Sequence, residues 1–248
     1  MTRARQCRAE HGFTLIELMI AITIALFLCG SMVAVVFAVR SSFKTQDGLV
    51  RMQENARFML SVMNTTVHNA GYFPNPLATT ALTAFPTPAT PNGNATTFAT
   101  GQFITGATSA GGDSLNVRFQ SASGDGLMNC QGAANTSGAD VVYTSSFSVN
   151  AASQLVCAVS VNGLAPSADE ILIDNVAAMN LLYSVDTDGD GNADSYRTAA
   201  YVTAAGLWNT VSAVQITLTL KDLVNSTAAT TTTLPKQLLH TINLMNKP

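Results

Sequence analysis

Asp186, Asp188, Asp190, Asn192 and Asp194 alternate along nine residues, with Gly189 and Gly191 between them. That spacing places oxygen donors for a hard divalent cation. Carboxylates stand at the first, third, fifth and ninth positions, the backbone carbonyl of Asn192 at the seventh, and Gly191 at the sixth, where the chain must turn sharply. Carboxylates this close repel one another unless a cation or water screens them. Calcium suits the donor set, bound weakly as in extracellular proteins, and no other cofactor is implied. The twelfth position is Arg197, where a helix-loop-helix calcium site has a bidentate glutamate. The remaining ligands must then come from water or another loop. The plain alternative is a solvated Asp/Gly hairpin turn between Val185 and Tyr196.

Catalysis finds little to work with. His11 lies in a basic N-terminal stretch, while His68 and His240 have no flanking metal-ligand or nucleophile pattern. No phosphate-binding glycine loop, dinucleotide fingerprint or nucleophile elbow is present, so the chain reads as a non-enzyme. The four cysteines fall in three settings. Cys7 lies in the basic stretch and Cys29 in an apolar run, where a thiol behaves as a small hydrophobe. Cys130 and Cys157 lie in the C-terminal half; in an oxidising compartment such a pair is read as a disulfide, the alternative being two free thiols.

The 248 residues are 47% hydrophobic and only 11% charged, against about 25% charge in an average soluble domain. The formal net charge is -3 and the basic residues are scattered singly, so no direct nucleic-acid contact is implied. The apolar excess is concentrated near the N-terminus. Between Phe13 and Val39 the only charge is Glu17, and a bilayer span needs about 20 apolar residues. Arg3, Arg5 and Arg8 precede it, so the positive-inside bias keeps the N-terminus in the cytoplasm and sends the chain beyond Arg40 outward. No A-x-A-like secretory cleavage site follows the apolar core. Leu28, before Cys29, argues against a lipid-attachment site.

The string Gly12-Phe13-Thr14-Leu15-Ile16-Glu17-Leu18 resembles the class III signal of type IV pilins and pseudopilins. The resemblance implies cutting after Gly12 by a prepilin peptidase and N-methylation of the new terminus at Phe13. It also implies that Glu17 pairs with the amine of Phe13 on a neighbouring subunit. A carboxylate in a bilayer costs at least about 2.5 to 3.5 kcal/mol, so such a pair has a physical rationale. A local role is compatible with it, because Thr14-x-x-Glu17 is a capping-box pattern and the first helical turn favours an acid.

After Arg40 the chain becomes amphipathic. Leu49, Met52, Ala56, Met59, Leu60, Met63, Val67 and Ala70 recur at three- and four-residue steps. The stripe ends before Gly71, Pro74 and Pro76, with Gly30 and Gly48 as weak points of one long helix. A Pro/Thr-rich connector over 72–112 follows. Period-two patterns then appear at Leu115–Phe119, Val141–Tyr143, Leu155–Val161, Asn175–Val185, Ile216–Leu220 and Thr241–Met245. The expected class is α+β, the type IV pilin fold: a long N-terminal helix, transmembrane in its first half, packed on a mainly antiparallel sheet. Five segments follow: a cleaved leader over 1–12, a membrane or filament-core helix over 13–39, an amphipathic continuation over 40–71, the connector over 72–112, and a β-rich extracytoplasmic domain over 113–248.

The segments Gln53-Glu54-Asn55-Ala56-Arg57-Phe58 and Ala70-Gly71-Tyr72-Phe73 resemble the matching stretches of PilW-type minor pilins, which share the layout of the larger J-type pseudopilins. The resemblance implies a protein that helps initiate type IV pilus assembly at or near the pilus tip, supporting adhesion, twitching motility or DNA uptake. Its implied partners are other minor pilins, the major pilin, the prepilin peptidase and the inner-membrane assembly platform. It would cross the inner membrane once before assembly and be extracellular in the pilus afterwards. Two rival readings remain open: a J-type pseudopilin of a type II secretion system, and a tip adhesin that binds through the Asp186–Asp194 loop or the connector.

Overall fold

In the computed structural model, residues 14–90, 97–109, 112–190, 192–221 and 236–246 are described. The chain divides into two compact units, 1–50 and 51–248. Helix α1 covers Leu15–His68 without a break at Gly30 or Gly48. From Leu18 to Val39 it is apolar on every side. Each large apolar side chain from Leu15 to Val39 is between 47% and 79% exposed, the surface of a helix made for lipid or for other helices rather than for its own chain's core.

Within the second unit the same helix changes character. Met52 and Ala56 are half-buried, and Met59, Met63 and Val67 are fully buried, so the predicted stripe deepens toward the helix end. The side chain of Leu49 lies outside the described residues. Past His68 the backbone turns at Gly71 (φ 79°), where a β-carbon would collide with the carbonyl oxygen of Asn246. The Asn246 side-chain amide donates to the His68 carbonyl at 2.9 Å, covering an unsatisfied acceptor at the helix end. Gly71 N–H donates to the Arg118 carbonyl at 3.0 Å, and Gln120 N–H donates to the Tyr72 carbonyl at 2.8 Å, laying the outgoing chain beside Arg118 and Gln120.

The strands divide between two antiparallel sheets. The first is a five-stranded meander in sequence order, β1 (Ile104–Ala107), β2 (Ser114–Ser121), β3 (Val141–Val149), β4 (Gln154–Val161) and β5 (Glu170–Asp174). The second has the order β7-β6-β8-β9, from β6 (Val176–Val185), β7 (Ser195–Arg197), β8 (Val211–Leu220) and β9 (Lys236–Asn243). Short helix α2 (Ala81–Ala84) lies in the connector, and α3 (Ala199–Ala205) precedes β8. Leu115, Val117 and Phe119 of β2, Phe147 of β3 and Ile216 and Leu218 of β8 share one core with Met59, Met63 and Val67.

The opposite face of β2 carries Arg118, only 2% exposed. Its guanidinium donates to the carbonyls of Pro86 at 2.7 Å, Phe85 at 3.1 Å, Ala99 at 2.8 Å and Gln102. The rings of Phe85 and Phe98 lie 5.3 and 4.6 Å from its central carbon. A buried cation is costly unless its donors are satisfied, and here four backbone acceptors of the connector and two aromatic faces take that role. Burial lowers its pKa to about 10. One arginine thus fastens a connector segment that has no charge of its own.

Candidate functional site

Three sets of residues carry the expected chemistry. Gly12 and Phe13, the expected cleavage and methylation positions, lie outside the described residues. Glu17 lies in the exposed first turn of α1. Thr14 precedes the helix and its hydroxyl accepts from Glu17 N–H at 3.4 Å, the contact that opens a capping box. The Glu17 carboxylate therefore stands at the positive end of the helix dipole, in a segment otherwise without charge through Val39.

Cys130 and Cys157 form a disulfide, with Cα atoms 6.3 Å apart and a sequence separation of 27. Cys157 lies in the middle of β4 at zero exposure, while Cys130 belongs to the irregular stretch between β2 and β3. The bond ties that stretch to the sheet. Beside it, the Gln131 amide donates to the carbonyls of Cys157 and Ala168, each at 3.2 Å, and to the Ser167 hydroxyl at 2.9 Å.

The acidic loop joins β6 to β7, a hairpin in the second sheet. Asp186, Asp188 and Asp194 each turn a carboxylate oxygen toward a shared point, all within 4.8 Å of one another. Asp186 is buried and the other two are exposed. Asp190 is not among these converging carboxylates. Asp190 instead accepts from the Asn192 backbone at 2.7 Å and side-chain amide at 3.1 Å, which closes a local turn of its own. The loop is shaped by further side-chain bonds to backbone: Gly189 N–H to Asp186 at 2.7 Å and Thr187 N–H to Asp194 at 2.7 Å. Hydrogen bonds to Asp194 from the Thr187 hydroxyl, and next from its N–H, hold that carboxyl below the usual carboxylate range. Three converging carboxylates with an ionised member form a hard-oxygen donor set that fits a divalent cation.

Two features have no clear sequence signal. Arg118 reads as an isolated exposed cation in a strand, and only its zero-charge neighbourhood from Phe58 to Gly112 hints that it serves an uncharged segment. Tyr183 is fully buried on β6, edge-on to Trp208 at 4.9 Å, and among the described residues its hydroxyl has no hydrogen-bond partner.

Comparison with known proteins completes the site. The family model described as "Type IV Pilus-assembly protein W" matches residues 142–245, from β3 through β9. A second, "Prokaryotic N-terminal methylation motif", matches residues 7–36, covering Gly12, Phe13 and Glu17. Among solved structures, a type IV-like pilin from Thermus thermophilus is similar at 15% identity and a TM-score of 0.47, over 79% of this chain and 96% of that one. No curated protein matches the chain. A prepilin methylation motif leading into an apolar helix, with a β-rich half behind it, defines a type IV pilin-like protein. The match over β3–β9 makes the β-rich half similar to the PilW type of minor pilin.

Proposed function

We propose that this protein is a minor pilin that helps initiate type IV pilus assembly and sits at or near the pilus tip, supporting adhesion, twitching motility or DNA uptake. The observation that carries the reading is the joining of a prepilin methylation motif and an uninterrupted apolar helix to a PilW-matching β domain in one chain. Prepilin peptidase cuts after Gly12, and the new N-terminus at Phe13 is methylated. Arg3, Arg5 and Arg8 hold the N-terminus in the cytoplasm, so residues beyond Arg40 stand outside the inner membrane until the helix passes into the filament. Other minor pilins and the major pilin surround it there. The charge of Glu17 meets the Phe13 amine of a neighbour, neutralising both and setting axial register. The protein's work is structural rather than catalytic. Calcium binds at Asp186, Asp188 and Asp194, with affinity in the weak range of extracellular modules, about 10⁻⁴ to 10⁻³ M.

The test is a deletion strain complemented with the native chain, with Gly12→Val, or with Glu17→Ala, scored for surface pili, twitching and type II export. The expected result is loss of pili with intact export, restored by the native chain and not by Gly12→Val. Glu17→Ala is expected to be cut normally and to restore few pili. Normal pili with failed export would move the protein to a secretion system.

A further inference from the structure

Arg118 is a buried cation whose charge no carboxylate of the described residues offsets. The connector carbonyls and the rings of Phe85 and Phe98 solvate that charge without neutralising it. A guanidinium carries five N–H donors, and four bonds are made, one from Nε, one from Nη1 and two from Nη2. Nη1 has two hydrogens and gives one, to the Pro86 carbonyl at 2.7 Å. One donor on the cation is left over.

A cavity of about 240 Å³ adjoins this group, lined by Arg118, by Pro86 and Pro88 of the connector, by Thr144 of β3 and by Asn162 just past β4. Pro86 and Asn162 are exposed and form its mouth, while Arg118 and Thr144 are 2% and 3% exposed and form its floor. Thr144 stands directly opposite Arg118 in the β2–β3 ladder, which makes the two side chains neighbours on one face. Its hydroxyl makes no hydrogen bond among the described residues, a costly state for a buried polar group. Asn162 accepts Val142 N–H on its side-chain oxygen at 2.8 Å, and its amide nitrogen makes no bond among the described residues. The cavity thus combines one positive charge with unused donors from three side chains, and no acid lines it.

We propose that this cavity binds a carboxylate, with one oxygen on Arg118 Nη1, the other on the Thr144 hydroxyl, and the Asn162 amide closing over it. A singly charged ligand cancels the one buried charge, whereas a dianion such as sulfate would leave a negative charge in the same water-poor place. Two adjacent donors suit a group with two oxygens on one carbon better than a spherical chloride. The volume is that of several waters at about 30 Å³ each in the liquid, enough for a short-chain acid or for the free C-terminus of another polypeptide.

The full chain in detergent micelles would be titrated with sodium acetate at constant ionic strength, following the Arg118 Nε–H resonance and the melting temperature. Acetate should shift both saturably, with chloride and sulfate about tenfold weaker or more. Thr144→Val keeps the shape, removes the hydroxyl, and should weaken acetate binding about fivefold or more. Asn162→Asp keeps an acceptor for Val142 N–H, places a negative charge at the mouth, and should weaken it about tenfold or more. Neither removes a bond that holds the connector to Arg118, so both variants should stay folded. N-acetyl-alanyl-alanine and its C-terminal amide separate the two sources of carboxylate. The amide should not bind; tighter binding of the free acid than of acetate assigns a polypeptide terminus, and equal or weaker binding assigns a small free acid. No saturable shift, an equal response to chloride, binding of the amide, or undiminished acetate binding in both variants would overturn the proposal.

Discussion

The hydroxyl of Tyr183 lies where a β-carbon of residue 106 would be, so Gly106 and Tyr183 share one space between β1 and β6. A methyl group there would also press on the Ser114 carbonyl of the paired strand. Gly106→Ala is therefore expected to destabilise the domain by about 2 to 3 kcal/mol through overpacking. Tyr183→Phe removes a buried hydroxyl that has no partner among the described residues, so it should leave stability unchanged or raise it by about 1 kcal/mol. The double variant should recover only part of the loss, since the Ser114 contact remains. Urea unfolding of the three variants checks this; a Tyr183→Phe penalty above about 1 kcal/mol would mean that the hydroxyl is bonded.

Burial, and secondarily the charge of Asp113, push the Tyr183 phenol far above its usual range. The folded state then keeps its proton where the unfolded chain, with a pKa near 10, gives it up. Unfolding is favoured by that ionisation, so this tyrosine's contribution is complete below about pH 10 and declines as pH rises beyond it. Stability measured from pH 8 to 11 should fall more steeply in the native protein than in Tyr183→Phe. Parallel curves would contradict the assignment.

Arg118 is the anchor of the connector, and its substitution separates charge from shape. Arg118→Lys keeps the charge but cannot reach four carbonyls with one ammonium, and it leaves the space between Phe85 and Phe98 poorly filled. A loss of about 3 kcal/mol or more is expected. The loss should be local first: Gly101 N–H, bonded to the Phe85 carbonyl at 2.8 Å, should exchange faster than amides of β3. Uniform acceleration across both sheets would show instead that Arg118 supports the whole domain.

How much of this was readable from residues alone depended on periodicity. The apolar run from Phe13, and the stripe through Met59, Met63 and Val67, carry a 3.6-residue signal over many turns, and α1 follows them to His68. Strands with clean alternation, such as Leu115, Val117 and Phe119, were equally plain. β1 was not, because Ile104-Thr105-Gly106-Ala107 is four residues long, contains glycine and is hidden in a threonine-rich connector. The division into two sheets depends on which strands pair across long sequence distances, and alternation is silent on that. In the acidic loop, spacing placed five donors in a row, while the Asp190 carboxylate is taken by the Asn192 amides and the carboxylates that converge are those of Asp186, Asp188 and Asp194. Short polar side chains satisfy nearby N–H groups at little cost, and that local competition removes donors that a spacing rule counts.

Reduction of the Cys130–Cys157 bond should cost about 3.5 kcal/mol on the chain-entropy account, given 27 residues of separation. Cys130→Ser with Cys157→Ser should shift the unfolding midpoint by a similar amount, and proteolysis should then appear between β2 and β3 before it appears in the sheet. A midpoint insensitive to reductant would show that the bond adds nothing to the bonds made by Gln131.

Calcium at the β6–β7 loop would act on a carboxylate cluster with Asp194 already held in its charged form by Thr187. Its folded pKa is depressed, so its contribution is present above the ordinary carboxylate range and lost as pH falls through its lower folded value. The cation adds to the same preference, because binding requires all three carboxylates ionised. Calorimetry with millimolar calcium near pH 7 should show a weak, saturable heat that is lost in strong acid, since the donor set binds a hard cation only as carboxylates. Asp188→Asn should weaken binding at least tenfold and leave the calcium-free melting temperature nearly unchanged, since its exposed carboxylate bonds only within the loop. Asp190→Asn should preserve calcium affinity within about threefold, because Asp190 is turned to Asn192 rather than to the triad. Equal losses from the two substitutions would mean that the cation recruits Asp190 and remakes the local turn as it binds.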